Sequence, residues 1–590
     1  MPKSRRNLLI ILILAGAIFL GSIFAPPHLL DDVDSSFAQT GRNMLVSGDW
    51  VTPHLNGVRD MEKPPLLFWF MAISYKIFGV HDWAGRLPLA MGAIALCLLT
   101  YRFGVWALGE SAGFCSALVL TTSAGLFLFT RVFFLDTFLA LCVAAALFCF
   151  FRALEPDETR PRLWALGLGL SLGFGLLAKG LAALVLSGGA AFVYLAFTRQ
   201  LRWTVIRSRL APLLSLAVMV VVAAPWHILA ALRNPPTFVW TLHNGPGQYH
   251  GFLWYYFVNE HLLRFLNMRY PRDYSTVPRL QFWLLNLVWM FPWSTYAPGV
   301  ASLRFVPSDR SGRARLLCLC WAGFLLVFFS FSTTQEYYVL SCFPAFALLL
   351  GSALDSDSAW VTRGTRLLSF ALGLAALVAL GLFFAVRNTP TPGDISSALV
   401  PHPEDYYLST GHFHDLTLRS LAYLRLPLVL AAIAFLLGAV GTFFRKSRAM
   451  LALALMMALF GFAARKAMAV FDPYLSSQPL AVSLLGSPDG KLIIDGAYYT
   501  YSSVFFYAQR PALLLNGRYY DLEYGSNAPD APPVYIDDQR CVELWKSSRR
   551  MYFVTDGTSI SRLKQLAGEE TFHLVTSSGG KSLFTNQTIQ

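Results

Sequence analysis

The sequence predicts an all-α polytopic membrane bundle of about 13 transmembrane helices with a small α/β domain at its carboxyl end. Three observations carry this reading. Of the 590 residues, 55% are hydrophobic and 14% are charged, an apolar surplus that a soluble core of this length could not enclose. The surplus falls in blocks of roughly 17 to 22 residues, the length a helix needs to cross ~30 Å of hydrocarbon, where barrel strands would be shorter and alternating. Beyond residue 466 the long blocks stop and short apolar runs alternate with helical patterns.

The blocks lie near 8–25, 87–108, 112–130, 134–151, 163–178, 181–197, 210–230, 281–303, 316–332, 338–354, 367–386, 424–443 and 449–465. The first follows a basic start, ends in Ala-Pro-Pro and lacks a small-residue cleavage site, so it is expected to be a retained span. Basic residues concentrate in alternate short loops, at Lys3, Arg5 and Arg6, at Arg199 to Arg209, at Arg310 to Arg315 and at Arg445 to Arg448. That alternation follows the positive-inside rule. The net charge of +13 is thereby a topology signal, and nucleic acid is excluded as a partner. The amino end is placed in the cytoplasm and the long segments 26–86, 231–280, 387–423 and 467–590 outside, as for a bacterial inner-membrane protein. Residues 1–466 form the membrane domain and 467–590 the outer α/β domain. Seven of the eight cysteines fall in apolar blocks and Cys541 stands apart, so no disulfide framework is expected.

The first outer loop, 26–86, is expected to hold the active site on two interfacial helices. Phe37, Gly41, Met44 and Leu45 share one helical face, and Pro64-Pro65 opens a second aromatic-rich helix. Trp50, Trp69 and Trp83 would lie at headgroup depth. In the tail, strands are expected at 492–494, 513–515, 551–554 and 573–576, and helices at 502–508, 541–547 and 561–566.

Carboxylates beside hydrocarbon are the first candidates for chemistry. Asp31, Asp32 and Asp34 follow the first span, either as a solvated helix start or as a local negative field for a general base or metal. Glu62-Lys63 precedes the Pro-Pro helix start; Glu62 could ligate a divalent ion and Lys63 could hold a phosphate. Asp136 sits in Phe-Phe-Leu-Asp-Thr-Phe-Leu, where a carboxylate is costly unless paired or facing a cavity, and Arg131 is its structural alternative as partner. Lys179, at a turn between apolar spans, could meet an anionic headgroup. Glu260, His261 and Arg264 share a helical face, and His402, His412 and His414 are the imidazoles best placed for an outer metal site, although such histidines are commonly surface polarity. No phosphate-binding glycine loop, dinucleotide fingerprint or nucleophile elbow is present.

These motifs carry a family resemblance. Asp34, Arg42-Asn43-Met44-Leu45, Ser47-Gly48-Asp49-Trp50, Pro53-His54, Asn56-Gly57 and Glu62-Lys63-Pro64 resemble the first periplasmic loop of the lipid A 4-amino-4-deoxy-L-arabinose transferases, within the protein O-mannosyltransferase-like, C-type membrane glycosyltransferases. The likeness continues through Leu135-Asp136, Ala178-Lys179-Gly180, Pro225-Trp226, Glu260-His261 with Arg264-Phe265, and Tyr338 to Cys342. It implies a polyprenyl-phosphate-linked sugar donor, an envelope lipid or glycan acceptor, and a cavity at the outer face reached from the membrane lipids. By position it implies Asp34 or Asp32 and Asp136 as functional acids. Lys63 and Lys179 would be phosphate contacts, Tyr338 a cavity residue and Glu62 a ligand of a divalent metal ion; by their own placement Arg264 joins the expected phosphate contacts, His54, Glu260 and His261 the cavity, and His412 and His414 the metal site. The family's Asp-Glu at the loop start is Val33-Asp34 here, and its following Arg-Tyr is Ser36-Phe37, which leaves the sugar and acceptor open. The resemblance implies displacement at the anomeric carbon, with inversion. The alternative is a flippase for lipid-linked sugars, which would place polar groups along the bilayer midplane.

Overall fold

The computed structural model describes residues 3–588 apart from 273–275, 357, 401, 403–412, 445 and 557–559. Among the described residues, ten helices are long and apolar enough to cross a membrane: Lys3–Ser22, Asp82–Leu108, Asp136–Leu154, Pro161–Lys179, Pro212–Arg233, Arg310–Ser330, Glu336–Asp355, Ala359–Val386, Ser420–Gly441 and Arg448–Leu475. Side chains such as Leu213, Val221, Phe370 and Leu377 are exposed on them, as expected of helices whose outer faces meet lipid tails and not water.

Of the remaining three predicted spans, one is present as the 16-residue helix Ala182–Phe197, within one residue of its expected bounds. The other two are broken, into Glu110–Thr121 and Ala124–Leu128, and into Arg279–Trp289 followed by short turns at Trp293–Tyr296 and Ala297–Val300. The two breaks satisfy each other. The Ala124 amide donates to the Phe291 carbonyl at 3.1 Å, and Trp293 Nε1 donates to Thr122 Oγ1 at 3.0 Å. Irregular backbone at membrane depth persists only where protein groups complete its hydrogen bonds.

The long loops and the tail gather at one end. His28 Nδ1 pairs with Asp472 at 2.6 Å, Arg233 with Asp49 at 2.7 Å, and the Gly579 amide donates to Asp394 at 2.8 Å. At the opposite end Glu155 accepts from Arg313 and Arg310, so the basic short loops there are locked by carboxylates.

In the first loop, helices Val33–Ser47 and Leu66–Phe78 flank a hairpin of β1, His54–Leu55, and β2, Val58–Arg59. Asn56-Gly57 provides the two consecutive positive φ angles, 50° and 79°, that such a tight turn requires. Helix Leu66–Phe78 exposes Ile73 and Ile77, in keeping with an interfacial position. Helix Val33–Ser47, predicted to lie in the interface, is covered by protein on both sides. Ser35, Ala38 and Thr40 are fully buried, because one side packs on the second helix through Phe37 and Phe68 and the other is covered by the tail, where Ser35 Oγ meets Ser502 Oγ at 2.6 Å.

The tail is a six-stranded sheet of β3 (Lys491–Asp495), β4 (Ala512–Leu515), β5 (Tyr535–Ile536), β6 (Met551–Thr555), β7 (His573–Ser578) and β8 (Lys581–Thr585), in the order β5-β4-β3-β6-β8-β7. The first four are parallel and the last two antiparallel. The four expected strands are present; the two-residue β5 and the β8 of the terminal hairpin carry too little apolar pattern to be read. Residue 466 lies inside helix Arg448–Leu475, and the tail's core is shared: Leu55 and Val58 of the first-loop hairpin pack with Leu492, Ile494, Val504 and Leu514.

Candidate active site

Two groups of charged side chains are assembled where the first loop, the second loop and the tail meet. The first begins at Glu62-Lys63, just before Pro64-Pro65 starts its helix. Segment Trp254–Leu263 is wound as a π-helix, a geometry frequent at functional positions. It presents Glu260 to Arg264 at 2.9 Å, and Arg264 also donates to Glu62 at 3.1 Å. Lys63 is bonded to Glu62. Arg269, fully buried, is bonded to Glu260 and to Asp521 of the tail, and lies 3.7 Å from Glu62. Burial, then the neighbouring Arg264 guanidinium, pushes the Lys63 ammonium down to about 8.

The second group is Asp136 with Lys179. Asp136 opens helix Asp136–Leu154, and Lys179 closes Pro161–Lys179. The ammonium donates to both carboxylate oxygens at 2.7 and 2.6 Å. It also lies over the rings of Tyr337 and Tyr338, 5.0 and 4.9 Å from their centroids, where the ring faces attract a cation. The Asp136 side chain is 3% exposed and that of Lys179 20%. Arg131, the alternative partner considered for Asp136, bonds instead to neutral oxygens of Phe127, Ser22 and Thr130.

His261 follows Glu260 in the chain and packs against the turn that follows Lys179. Its Nδ1 faces the Tyr256 carbonyl at 2.5 Å, and its Nε2 accepts the Leu181 amide at 3.0 Å. One ring nitrogen donates and the other accepts, so the ring is neutral in this arrangement, and burial lowers its pKa further. The ring is pressed against Gly180, whose φ is +63° and where a Cβ would collide with His261 and with the Tyr256 hydroxyl. Lys179 is therefore held by a turn that only glycine completes.

The other predicted residues are placed outside these two groups. Asp34 is fully buried; its Oδ2 accepts from Arg86 at 3.2 Å and from the Leu30 amide at 3.1 Å, while Oδ1 has no hydrogen-bond partner. Burial raises its pKa against the opposing pull of Arg86. Asp32 is exposed at a strained φ of +73°, and its amide and carbonyl meet Tyr499 and Ser502 of the tail. Asp31 is a docking residue, accepting from Lys581, Ser477 and Ser503. His54 is half-buried, its Nδ1 2.9 Å from the Thr52 carbonyl, and burial lowers its pKa.

Glu62, His412 and His414 are the residues predicted to hold a metal ion. Glu62 is surrounded by Lys63, Arg264 and Arg269, three cations where a divalent ion would have to approach, so its surroundings do not fit that role. His414 is exposed and His412 lies outside the described residues. Among the described residues no three His, Cys, Asp or Glu side chains gather to hold a metal.

Sequence reasoning missed Arg86, Arg269 and Asp521. Arg86 and Arg269 had a signal: they are basic residues on the side that the positive-inside rule leaves poor in Lys and Arg. Asp521 had none, because only the fold brings the tail to the second loop.

Comparison with known proteins agrees with this architecture. Residues 62–228 match the dolichyl-phosphate-mannose-protein mannosyltransferase family, a stretch that includes Glu62-Lys63, Asp136 and Lys179. In sequence and fold the chain resembles the protein O-mannosyltransferase-like membrane glycosyltransferases. Among individual proteins it is similar to the undecaprenyl phosphate-alpha-4-amino-4-deoxy-L-arabinose arabinosyl transferase of Aeromonas salmonicida, 29% identical over 61% of this chain and 62% of that one. It is also similar to transferase 2 of that name from Pseudomonas fluorescens, 30% identical over 59% of this chain and 57% of that one. The chain thus spans about three fifths of the length of these relatives. The crystal structure of ArnT from Cupriavidus metallidurans bound to undecaprenyl phosphate superimposes with a TM-score of 0.80 over 99% of both chains at 20% identity. That likeness is one of fold.

Proposed function

We propose that this chain is an integral-membrane glycosyltransferase of the bacterial inner membrane that moves a sugar, a pentose in the first instance, from a polyprenyl-phosphate donor to an envelope lipid or glycan at the periplasmic face. One observation carries the reading: the Asp136–Lys179 pair lies beneath Tyr337 and Tyr338, and the turn after Lys179 donates its Leu181 amide to His261, the chain neighbour of Glu260 in the cationic group around Lys63 and Arg264. The names of the similar proteins supply the donor and the sugar.

In the transfer the bond from the anomeric carbon to the lipid phosphate breaks as the acceptor oxygen attacks. Charge develops on the departing phosphate, and fixed cations stabilise it more than they stabilise the ground state. Lys63, Arg264 and Lys179 are the groups for this task. Asp136 holds Lys179 in place through two hydrogen bonds. A hydroxyl acceptor must lose a proton to a base as it attacks; an already ionised phosphate acceptor needs none.

The test is transfer from radiolabelled undecaprenyl-phosphate aminoarabinose to lipid A by the full chain in proteoliposomes. Wild type forms labelled product, and Lys63→Gln and Lys179→Gln each reduce the rate by about a hundredfold, the scale of losing one transition-state contact. Movement of the donor across the vesicle with no covalent product would identify a flippase instead. Undiminished transfer in both variants would remove the site assignment.

A further inference from the structure

A third charged group lies apart from these two. Arg86, near the start of helix Asp82–Leu108, Arg131, in the turn before Asp136, and Arg465, in the last long helix, line one narrow cavity with Ser22, Pro27 and Thr130. Arg86 and Arg131 are 7% and 9% exposed.

Part of this arrangement is a clamp on the segment that leaves the first helix. Arg86 donates to the Pro27 and His28 carbonyls, both at 2.8 Å, and Arg465 to the Phe24 carbonyl at 2.7 Å. The clamp leaves donors and charge over. Arg131 reaches its three neutral oxygens only at 3.3 to 3.4 Å. The Nε atoms of Arg86 and Arg465 are buried with no partner. Among the described residues, Asp34 is the only carboxylate bonded to any of the three. One carboxylate and the carbonyl end of the first helix, worth about half a charge, do not balance three guanidinium groups in a low-dielectric setting. Burial, with Arg86 and Arg465 as neighbours, pushes Arg131 down to about 9.

We propose that Arg86, Arg131 and Arg465 form a second anion site, separate from the Lys63 and Lys179 groups, which takes the oxygens of a phosphate. Guanidinium donors suit this ligand because they present several N–H groups in a planar fork to a tetrahedral anion. The cavity has room for about one water-sized atom, so a single phosphate oxygen enters while the rest of its molecule stays outside. A lipid headgroup and free phosphate share this chemistry. The mouth lies among the first-helix end and the outer turns, within reach of both.

The full chain carrying Lys63→Gln and Arg264→Gln, which weaken the other phosphate-binding group, is placed in phosphatidylcholine nanodiscs. One arm measures binding of radiolabelled inorganic phosphate; the other measures phosphatidic acid retained per protein by native mass spectrometry. At least one probe binds this background protein. Arg131→Gln and Arg465→Gln each weaken that probe at least about tenfold, the order expected for losing one charge-assisted contact, and Arg465→Lys retains more than Arg465→Gln. The arm that responds identifies the source of the phosphate. Melting temperature and size exclusion check folding; if Arg131→Gln does not fold, the Arg465→Gln and Arg465→Lys pair decides. Binding of neither probe to the background protein, or equal binding by it and the arginine variants, overturns the site.

Discussion

At the scale of single residues, Lys63 links charge to pH most directly. Its ammonium titrates near 8 in the folded chain, below its unfolded value of about 10.4. Between these values the unfolded chain binds more protons, so this group makes stability rise with pH across that window. The charge proposed to hold the donor phosphate is lost in the folded chain as pH rises through about 8. Affinity for undecaprenyl phosphate is therefore expected to be flat near neutrality and to fall as pH rises through about 8, and Lys63→Arg is expected to remove that decline. Titration calorimetry across the range checks it, and an unchanged profile in Lys63→Arg would show that another group is responsible. Asp136 makes a different kind of prediction, because its partner is also sheltered. Asp136→Asn leaves Lys179 without its carboxylate and should destabilise the fold by about 3 kcal/mol, the lower range for breaking a buried pair. The double variant with Lys179→Met should recover part of that loss while staying inactive. Melting temperatures of wild type, Asp136→Asn, Lys179→Met and the double variant separate pairing from chemistry.

At the scale of elements, the turn at 179–181 sets the position of Lys179, and its tolerance is narrow. Gly180→Ala imposes a Cβ at φ +63° against His261 and Tyr256, costing at least about 1 kcal/mol. It should lower transfer more than donor binding, because it moves Lys179 and leaves Lys63 in place. Kinetics with a donor titration tests this: KM nearly unchanged and kcat reduced. This turn also shows what can be read from the chain alone. Ala-Lys-Gly between two apolar runs marks Lys179 as an unusual charge, and the expense of Asp136 in hydrocarbon marks its counterpart. Their mutual pairing is not readable, since 43 residues separate them and Arg131 lies closer in sequence. The long apolar blocks were legible because hydrocarbon length fixes them. The two broken helices were not, because Thr122 and Trp293 complete each other only in three dimensions. The burial of helix Val33–Ser47 was equally hidden, its second face being covered by residues 502–508 at the far end of the chain.

At the scale of the whole molecule, the tail is a wall of the site and not an appended domain. Asp31 is held by Lys581, Ser477 and Ser503, Arg59 pairs with Asp530 at 2.6 Å, and Tyr255 stacks on Tyr524 with centroids 4.0 Å apart. Asp521 reaches Arg269 and through it Glu62 and Glu260. Two consequences follow from the shared core of Leu55, Val58 and the sheet. Residues 476–590 expressed alone should lack a cooperative melting transition, because the hairpin that covers Leu492 and Leu514 is missing. Chain 1–475 should in turn expose the buried face of helix Val33–Ser47 and become sensitive to protease there. Co-expression of the two pieces should restore both protection and transfer, as burial of one continuous apolar surface drives reassembly. A cooperative transition in the isolated tail would show that the hairpin adds area without completing the core, and the role of Asp521 at the site would then have to be tested by Asp521→Asn in the intact chain.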